Sequence, residues 1–347
     1  MEKILVTGGA GFIGSNFIYY MLRHHDDVSI VCLDKLTYAG CLRTLEPLIR
    51  TGDRNFRFLK GDITDRDMVE RLFRQEQFDM VVNFAAESHV DRSIDDPSVF
   101  QKTNYLGTQV LLDAFNQYGI TRFHQVSTDE VYGDVASDTD VELCTEEAPL
   151  RPGNPYAASK AAADLLALSY FNTYGTPVTI SRSSNNYGPR QFPEKLVPVS
   201  IVNACENKPI PLYGDGQNLR NWIYVEDHCR AIDAILHGGT IGEVYNVCTD
   251  EDRENRELVQ ELLTAMGYED PDSMVEYVAD RPGHDRCYAI DCGKLMDELG
   301  WEPRFSLEEG LARTIDWYAR HENWWKSILD GSYRDDEHHL LGLSNRR

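Results

Sequence analysis

The sequence predicts an α/β fold: a doubly wound parallel sheet covered by helices on both faces, followed by a smaller C-terminal lobe. Three observations carry this. Short apolar runs alternate with amphipathic stretches through the first half of the chain. A glycine-rich turn follows the first apolar run directly, and after about Ser184 the alternation loosens into shorter segments.

In order, the apolar runs predict strands at Ile4–Thr7, Ser29–Leu33, Phe56–Lys60, Met80–Asn83, Phe123–Ser127 and Val178–Ser183. The amphipathic stretches between them predict helices at Ile13–Arg23, Met68–Gln75, Val99–Tyr118 and Ala157–Thr173. Ligands of such a sheet bind beyond the carboxyl ends of its strands. The run Asn185-Asn186-Tyr187-Gly188-Pro189-Arg190 reads as a loop. Beyond it, helices are expected near Val197–Glu206, Val225–Leu236, Glu257–Met266 and Leu307–Arg320. The expected division is residues 1–184 for the sheet domain, with later segments returning to it, 185–330 mainly for the smaller lobe, and 331–347 for a tail. That tail is polar and charged, and is expected to be mobile.

Hydrophobic content of 42% and charged content of 26% suit a soluble globular chain. No apolar run approaches the roughly 20 residues that cross a bilayer. Met1-Glu2-Lys3 leads straight into an apolar strand, so no export signal is expected and a cytoplasmic location is. None of the eight cysteines forms a C-x-x-C pair; reduced thiols are expected, with neither a metal site nor a disulfide framework. A formal charge of -23 repels nucleic acid and anionic membranes, so neither is an expected partner.

Thr7-Gly8-Gly9-Ala10-Gly11-Phe12-Ile13-Gly14 lies between a strand and a helix. Missing side chains tighten such a turn and let backbone N–H groups approach a pyrophosphate at the helix N-terminus. Asp34 ends the next strand, where a carboxylate binds an adenosine ribose. This makes the sheet domain Rossmann-type. Asp34 favours NAD over NADP because it repels a 2′-phosphate, although the adjacent Lys35 weakens that preference.

Tyr156 and Lys160 are spaced i, i+4 at the start of a helix and share one face. An ammonium beside a phenol favours the phenolate, which can take a proton from a hydroxyl as hydride leaves for the cofactor. Thr128 is placed to hydrogen-bond the same hydroxyl. Asp129 and Glu130 follow the strand that ends at Ser127. Two adjacent carboxyl groups at the ligand edge suit a divided task, one protonated to donate to a leaving hydroxyl and one ionised to abstract a carbon-bound proton. A solvated acidic turn is the competing reading in so acidic a chain.

These motifs resemble the extended short-chain dehydrogenase/reductase family, and within it the branch that dehydrates dTDP-glucose. The resemblance runs from Gly8 to about Trp317. It is most specific at Asp34 to Gly40, Ala85 to Asp91, Ser127 to Gly133, Asn185 to Leu196, Tyr213 to Gly216, Arg220 to Trp222 and Asp280 to Asp285. It implies that Tyr156 deprotonates a C4 hydroxyl as hydride passes to NAD, Glu130 removes the C5 proton, Asp129 protonates the C6 hydroxyl, and hydride returns to C6. For NAD it implies Gly8, Gly11, Phe12, Ile13, Gly14, Asp34, Lys35, Leu36, Thr37, Asp62, Ile63, Phe84, Ala85, Ala86, Ser88, Thr103, Tyr156, Lys160 and Asn186. For the nucleotide-sugar substrate it implies Ser88, Thr128, Asn185, Glu194, Lys195, Leu196, Pro211, Tyr213, Arg220, Asn255, Arg281 and His284, with the three cations near the diphosphate. A homodimer built on the helices Val99–Tyr118 and Ala157–Thr173 is also implied. Two residues depart from the pattern. Cys41 replaces an Asn near the adenosine side, and Cys287 replaces an Arg near the nucleotide end, which puts base or diphosphate affinity in question.

Overall fold

The computed structural model describes residues 1–135, 143–335 and 337–344. Strands β1 (Glu2–Thr7), β2 (Val28–Asp34), β3 (Phe56–Lys60), β4 (Met80–Asn83), β5 (Arg122–Thr128) and β6 (Val178–Ser183) form one sheet with β10 (Val244–Val247). The order is β10-β6-β5-β4-β1-β2-β3, and every pairing is parallel. The strand order reverses between β1 and β4, which opens a crevice at their carboxyl ends.

Side chains alternate between two apolar layers, as a strand buried on both faces requires. Ile4 and Val6 pack on one face with Phe17 and Ile18 of α1 (Phe12–His24) and Ile232 of α9 (Val225–Gly238). Leu5 points to the other, with Phe73 of α3 (Arg66–Glu76), Phe115 of α6 (Thr108–Tyr118) and Ala167 of α7 (Pro155–Tyr174). Between the layers a buried polar row crosses three strands. Thr7 Oγ1 donates to Asn83 Oδ1 at 2.6 Å, and Asn83 Nδ2 donates to Gln125 Oε1 at 2.8 Å. This row braces the strand ends that carry the crevice.

The helix expected at Val99–Tyr118 is not uniform. After the short α2 (Glu46–Thr51), α4 (Val90–Asp95) and α5 (Pro97–Phe100), residues Gln101–Gly107 adopt a π-helix before α6 begins. The wider turns bring the buried Asn104 side chain onto the backbone of Glu87, while Gly107 lies against Ile63 with no room for a side chain. Such π segments mark functional positions more often than chance.

The smaller lobe contains β7 (Asn185–Tyr187), β8 (Ile210–Tyr213), β9 (Leu219–Tyr224), β11 (Asp252–Glu254) and β12 (Val275–Val278). They form a β11-β9-β7 sheet and a β12-β8 pair. The expected loop at Asn185–Arg190 is therefore corrected: Asn185–Tyr187 pairs in parallel with Trp222–Tyr224. Its polar asparagines hid a strand whose edge faces the crevice. Around these strands pack α8 (Leu196–Cys205), α10 (Asn255–Ala265), α12 (Leu307–Arg320) and α13 (Glu322–Leu329), through Trp222, Leu258, Leu311, Tyr318 and Trp324.

Two further expectations are corrected. The tail is packed: α14 (Glu337–Ser344) lies against α2 and β3, and Leu340 is fully buried. Its few leucines fall on one side of a polar segment, a pattern too short to stand out in composition. Residues 345–347 of that tail lie outside the described residues. Cys248, just after β10, and Cys292, just before α11 (Gly293–Leu299), form a disulfide with Cα atoms 5.8 Å apart. They are far apart in sequence, so spacing gave no hint. Among the described residues, no helix is long and apolar enough to cross a membrane.

Candidate active site

A cleft of about 500 Å³ runs from the β1–α1 turn, across the ends of β4 and β5, into the smaller lobe between α8, β8 and β9. Every site residue expected from the sequence lines it except Leu36.

The turn after β1 is shaped by close backbone contact. Gly8 has φ +69°, and a Cβ there would stand 2.7 Å from the Ala85 amide nitrogen on the turn after β4. Only glycine fits both constraints. The α1 N-terminus, at Gly11, has no side-chain cap among the described residues, which leaves its first amides free for an anion. Asp34 accepts from Ala10 N at 2.9 Å and from Leu36 N at 2.7 Å. Burial raises its pKa while those two amides lower it. Lys35 pairs with Asp62 at 2.8 Å. Free amides, glycine-lined approach and an anchored carboxylate together fit a dinucleotide. Leu36 is the exception: its backbone is left-handed (φ +57°), which turns the side chain under the loop and into the core beside Leu42 and Leu45.

β5 delivers Thr128 to the middle of the cleft, and a 3₁₀ turn over Asp129–Tyr132 follows. Thr128 Oγ1 caps that turn by accepting from Glu130 N at 3.3 Å and donates to Asp129 Oδ1 at 3.2 Å. Asp129 is only 3% exposed, and its Oδ2 has no hydrogen-bond partner among the described residues. Burial, then the Glu130 charge, pushes its pKa up to about 7, with Arg220 opposing. Glu130 is less buried and accepts from Asn154 Nδ2 at 3.3 Å. Two neighbouring carboxyl groups thus sit in unlike surroundings.

Asn154 also caps α7, accepting from Ala157 N at 2.9 Å, and Pro155 opens the helix. This fixes Tyr156 and Lys160 on the cleft face. Burial, Glu130 and Asp129 hold the Tyr156 phenol well above its usual pKa, while Thr128 opposes them. The expected ammonium–phenol contact is corrected: Lys160 Nζ donates to the Val126 carbonyl at 2.6 Å, and burial lowers its pKa to about 8. The helix is held from behind by Asn104, which accepts from Glu87 N at 2.8 Å and donates to Ser159 Oγ at 2.8 Å.

In the lobe, Arg220 is 4% exposed. It donates to the carbonyls of Leu219 and Asp285 at 2.7 Å, and its guanidinium lies 4.2 Å from the Tyr288 ring centroid. Lys195 Nζ donates to Ser88 O at 3.2 Å, and Arg281 Nη1 donates to Asp91 Oδ1 at 3.4 Å. His284 Nδ1 pairs with Asp280 Oδ1 at 2.6 Å. Arg220, Lys195, Arg281 and His284 all line the cleft. Sequence reasoning missed Tyr38, His89, Asp91, Trp222 and Tyr288, which also line it. All five sit in or beside motifs already singled out, so the signal was position and not residue type. Cys41 and Cys287 are both buried and do not line the cleft.

Fold and cleft define a dinucleotide-binding enzyme with two carboxyl groups near a tyrosine. Residues 5–314 match the family model described as GDP-mannose 4,6 dehydratase, and the chain belongs to that family. It is 48% identical to the dTDP-glucose 4,6-dehydratase of Xanthomonas campestris pv. campestris (strain B100), with 96% of this chain and 98% of that protein covered. It is 50% identical to the low-salt glycan biosynthesis protein Agl12 of Haloferax volcanii, with 91% and 98% covered. Among solved structures, it is similar to DesIV, the dTDP-glucose 4,6-dehydratase from Streptomyces venezuelae with NAD and TYD bound. There the TM-score is 0.89 at 46% identity, over 94% of this chain and 99% of that one.

Proposed function

We propose that this chain is an NAD-dependent dTDP-glucose 4,6-dehydratase. It converts dTDP-glucose into dTDP-4-keto-6-deoxyglucose, a step in deoxysugar nucleotide biosynthesis. The observation that carries this reading is the pair of a buried Asp129 and a half-buried Glu130, in unlike surroundings, opening on the same cleft as Tyr156.

NAD is held by the turn Gly8–Gly14, by Asp34 to Thr37 through side chains other than Leu36, and by the Asp62 and Phe84–Ser88 segments; bound, it supplies a hydride acceptor for C4 and a hydride donor for C6. Tyr156 takes the C4 hydroxyl proton as a phenolate, assisted by Thr128 and favoured by the positive nicotinamide of bound NAD against the burial and carboxyl groups that raise its pKa. Glu130, the more accessible carboxylate, takes the C5 proton, and C5 is reprotonated when hydride is delivered to C6. Asp129, which burial keeps partly protonated near neutrality, gives its proton to the departing C6 hydroxyl. Arg220, Lys195 and Arg281 bind the diphosphate, and Asn185, Glu194, Leu196, Pro211, Tyr213, Asn255 and His284 enclose the rest of the nucleotide sugar. Residues 1–184 with β10 act as the cofactor domain, and 185–330 mainly as the substrate lobe.

The enzyme works as a cytoplasmic homodimer. Val99, Leu106 and Leu165 support the dimer: they are 41%, 48% and 57% exposed on the outer helices, an apolar surface suited to a second copy.

The test is incubation of the purified protein with dTDP-glucose, followed by the alkaline absorbance of a 4-keto sugar. Appearance of that product, with no NADH released, is expected. Turnover of a UDP-sugar to its epimer, with no keto product from dTDP-glucose, would replace this reading by an epimerase.

A further inference from the structure

We infer that the C-terminal segment is a strap that holds the cofactor loop closed, with Tyr333 and Arg334 as positioning residues for NAD. The inference rests on the reading of the cleft as an NAD site.

The loop after β2 supplies Lys35, Thr37 and Tyr38 to the cleft wall. It is held from the substrate side by the Tyr38 hydroxyl, which donates to Glu194 Oε1 at 3.2 Å, and by Arg92, stacked 3.8 Å from the Tyr38 ring centroid. From outside it is held by the chain's last segment. Tyr333 Oη donates to the Tyr38 carbonyl at 3.0 Å, and Arg334 Nη2 donates to the Thr37 carbonyl at 3.2 Å. Tyr333 is 5% exposed, and its ring meets Phe192 edge-on at 6.3 Å.

The segment has its own anchors. Glu337 pairs with Lys60 at 3.4 Å at the end of β3, and Leu340 is buried in the same apolar layer as Leu36, Leu42 and Leu45. The loop it covers contains Leu36, whose left-handed backbone a leucine rarely adopts unaided. Anchors on both sides of the loop, with bonds to two successive carbonyls, are an arrangement that resists loop opening. Opening of this loop is what dinucleotide release requires, because the loop forms one wall of its cleft. A dehydratase that reoxidises its own cofactor each turnover benefits from never releasing it.

The test compares the full-length protein with Tyr333→Phe/Arg334→Met, Arg334→Lys and Leu340→Asp. The readouts are NAD carried through gel filtration and the rate of exchange with isotopically labelled NAD. The double variant is expected to exchange NAD about tenfold faster, the combined effect of losing two modest hydrogen bonds to a held loop. Its KM for added NAD should rise more than its kcat falls. Leu340→Asp, which acts only through the anchor, should show the same split. Arg334→Lys, which keeps a donor, should retain NAD better than the double variant. Equal retention in the wild-type and double-variant proteins, both folded by circular dichroism, overturns the strap. A wild-type protein that binds no NAD overturns the cofactor reading itself, and is told apart because no variant is needed to see it.

Discussion

Lys160 donates to the Val126 carbonyl at 2.6 Å, joining the second turn of the catalytic helix to the strand that delivers Thr128. The ammonium is therefore both a local charge and a brace. Replacing it by Met in Lys160→Met removes this donor from a buried carbonyl, costing about 1 kcal/mol. It also removes the positive charge one helical turn from Tyr156, and kcat should fall by at least about 100-fold. Thermal melting and steady-state turnover measure the two effects separately.

Glu130→Gln keeps the bond to Asn154 but removes the base. Dehydration should fall by roughly 10²–10⁴-fold while oxidation at C4 persists. Rapid mixing with dTDP-glucose should then show a near-ultraviolet band of reduced nicotinamide that builds and stays. Full dehydration in this variant would mean the base lies elsewhere.

Asp129→Asn should separate activity from stability. The Asp129 carboxyl is raised from 3.8 to about 7 in the folded chain. The folded state thus binds its proton more tightly than the unfolded state. The stabilisation this brings is complete below about pH 4 and is lost as pH rises through about 7. Asparagine is neutral throughout, so the variant should be more stable than wild type at about pH 8, on the order of 2 kcal/mol, with little difference near pH 4. Denaturant unfolding at the two pH values measures this, and the variant should be inactive in dehydration.

A second pH effect lies away from the cleft. His237 and His25 both pair with Asp233, at 2.9 and 3.0 Å, and Glu2 reaches His237 at 3.4 Å. The bond to Asp233 raises His237 to about 9, above 6.5 for the free group. Its stabilisation is complete below about pH 6.5 and disappears as pH rises through about 9. Asp233→Asn should cost about 1 kcal/mol more at pH 6 than near pH 10, a modest figure because the His237 side chain is 35% exposed, while the Tyr20 hydroxyl bond to Asp233 at 3.2 Å is present at both.

Much of the architecture follows from local pattern. Apolar runs of strand length, the strand–glycine turn–helix order and the Tyr156/Lys160 spacing all act through neighbouring residues, so β1 to β6, α1 and α7 are legible within a residue or two. The cleft's membership was legible because its residues cluster in short motifs at strand ends, where a parallel sheet gathers ligands.

Long-range packing decided the rest. The strand Asn185–Tyr187 exists because Trp222–Tyr224 offers it an edge, and the π-helix at Gln101–Gly107 accompanies the Asn104 bonds to Glu87 and Ser159. Leu36 was drawn into the core by a left-handed turn, the tail was pinned by Leu340, and Cys248 met Cys292 across 44 residues. The spacing of Tyr156 and Lys160 put them on one helix face, but only the fold aimed the ammonium at Val126. A sequence encodes which groups share a turn; whether a charge is buried, and what it faces there, depends on segments that meet only when the chain is folded.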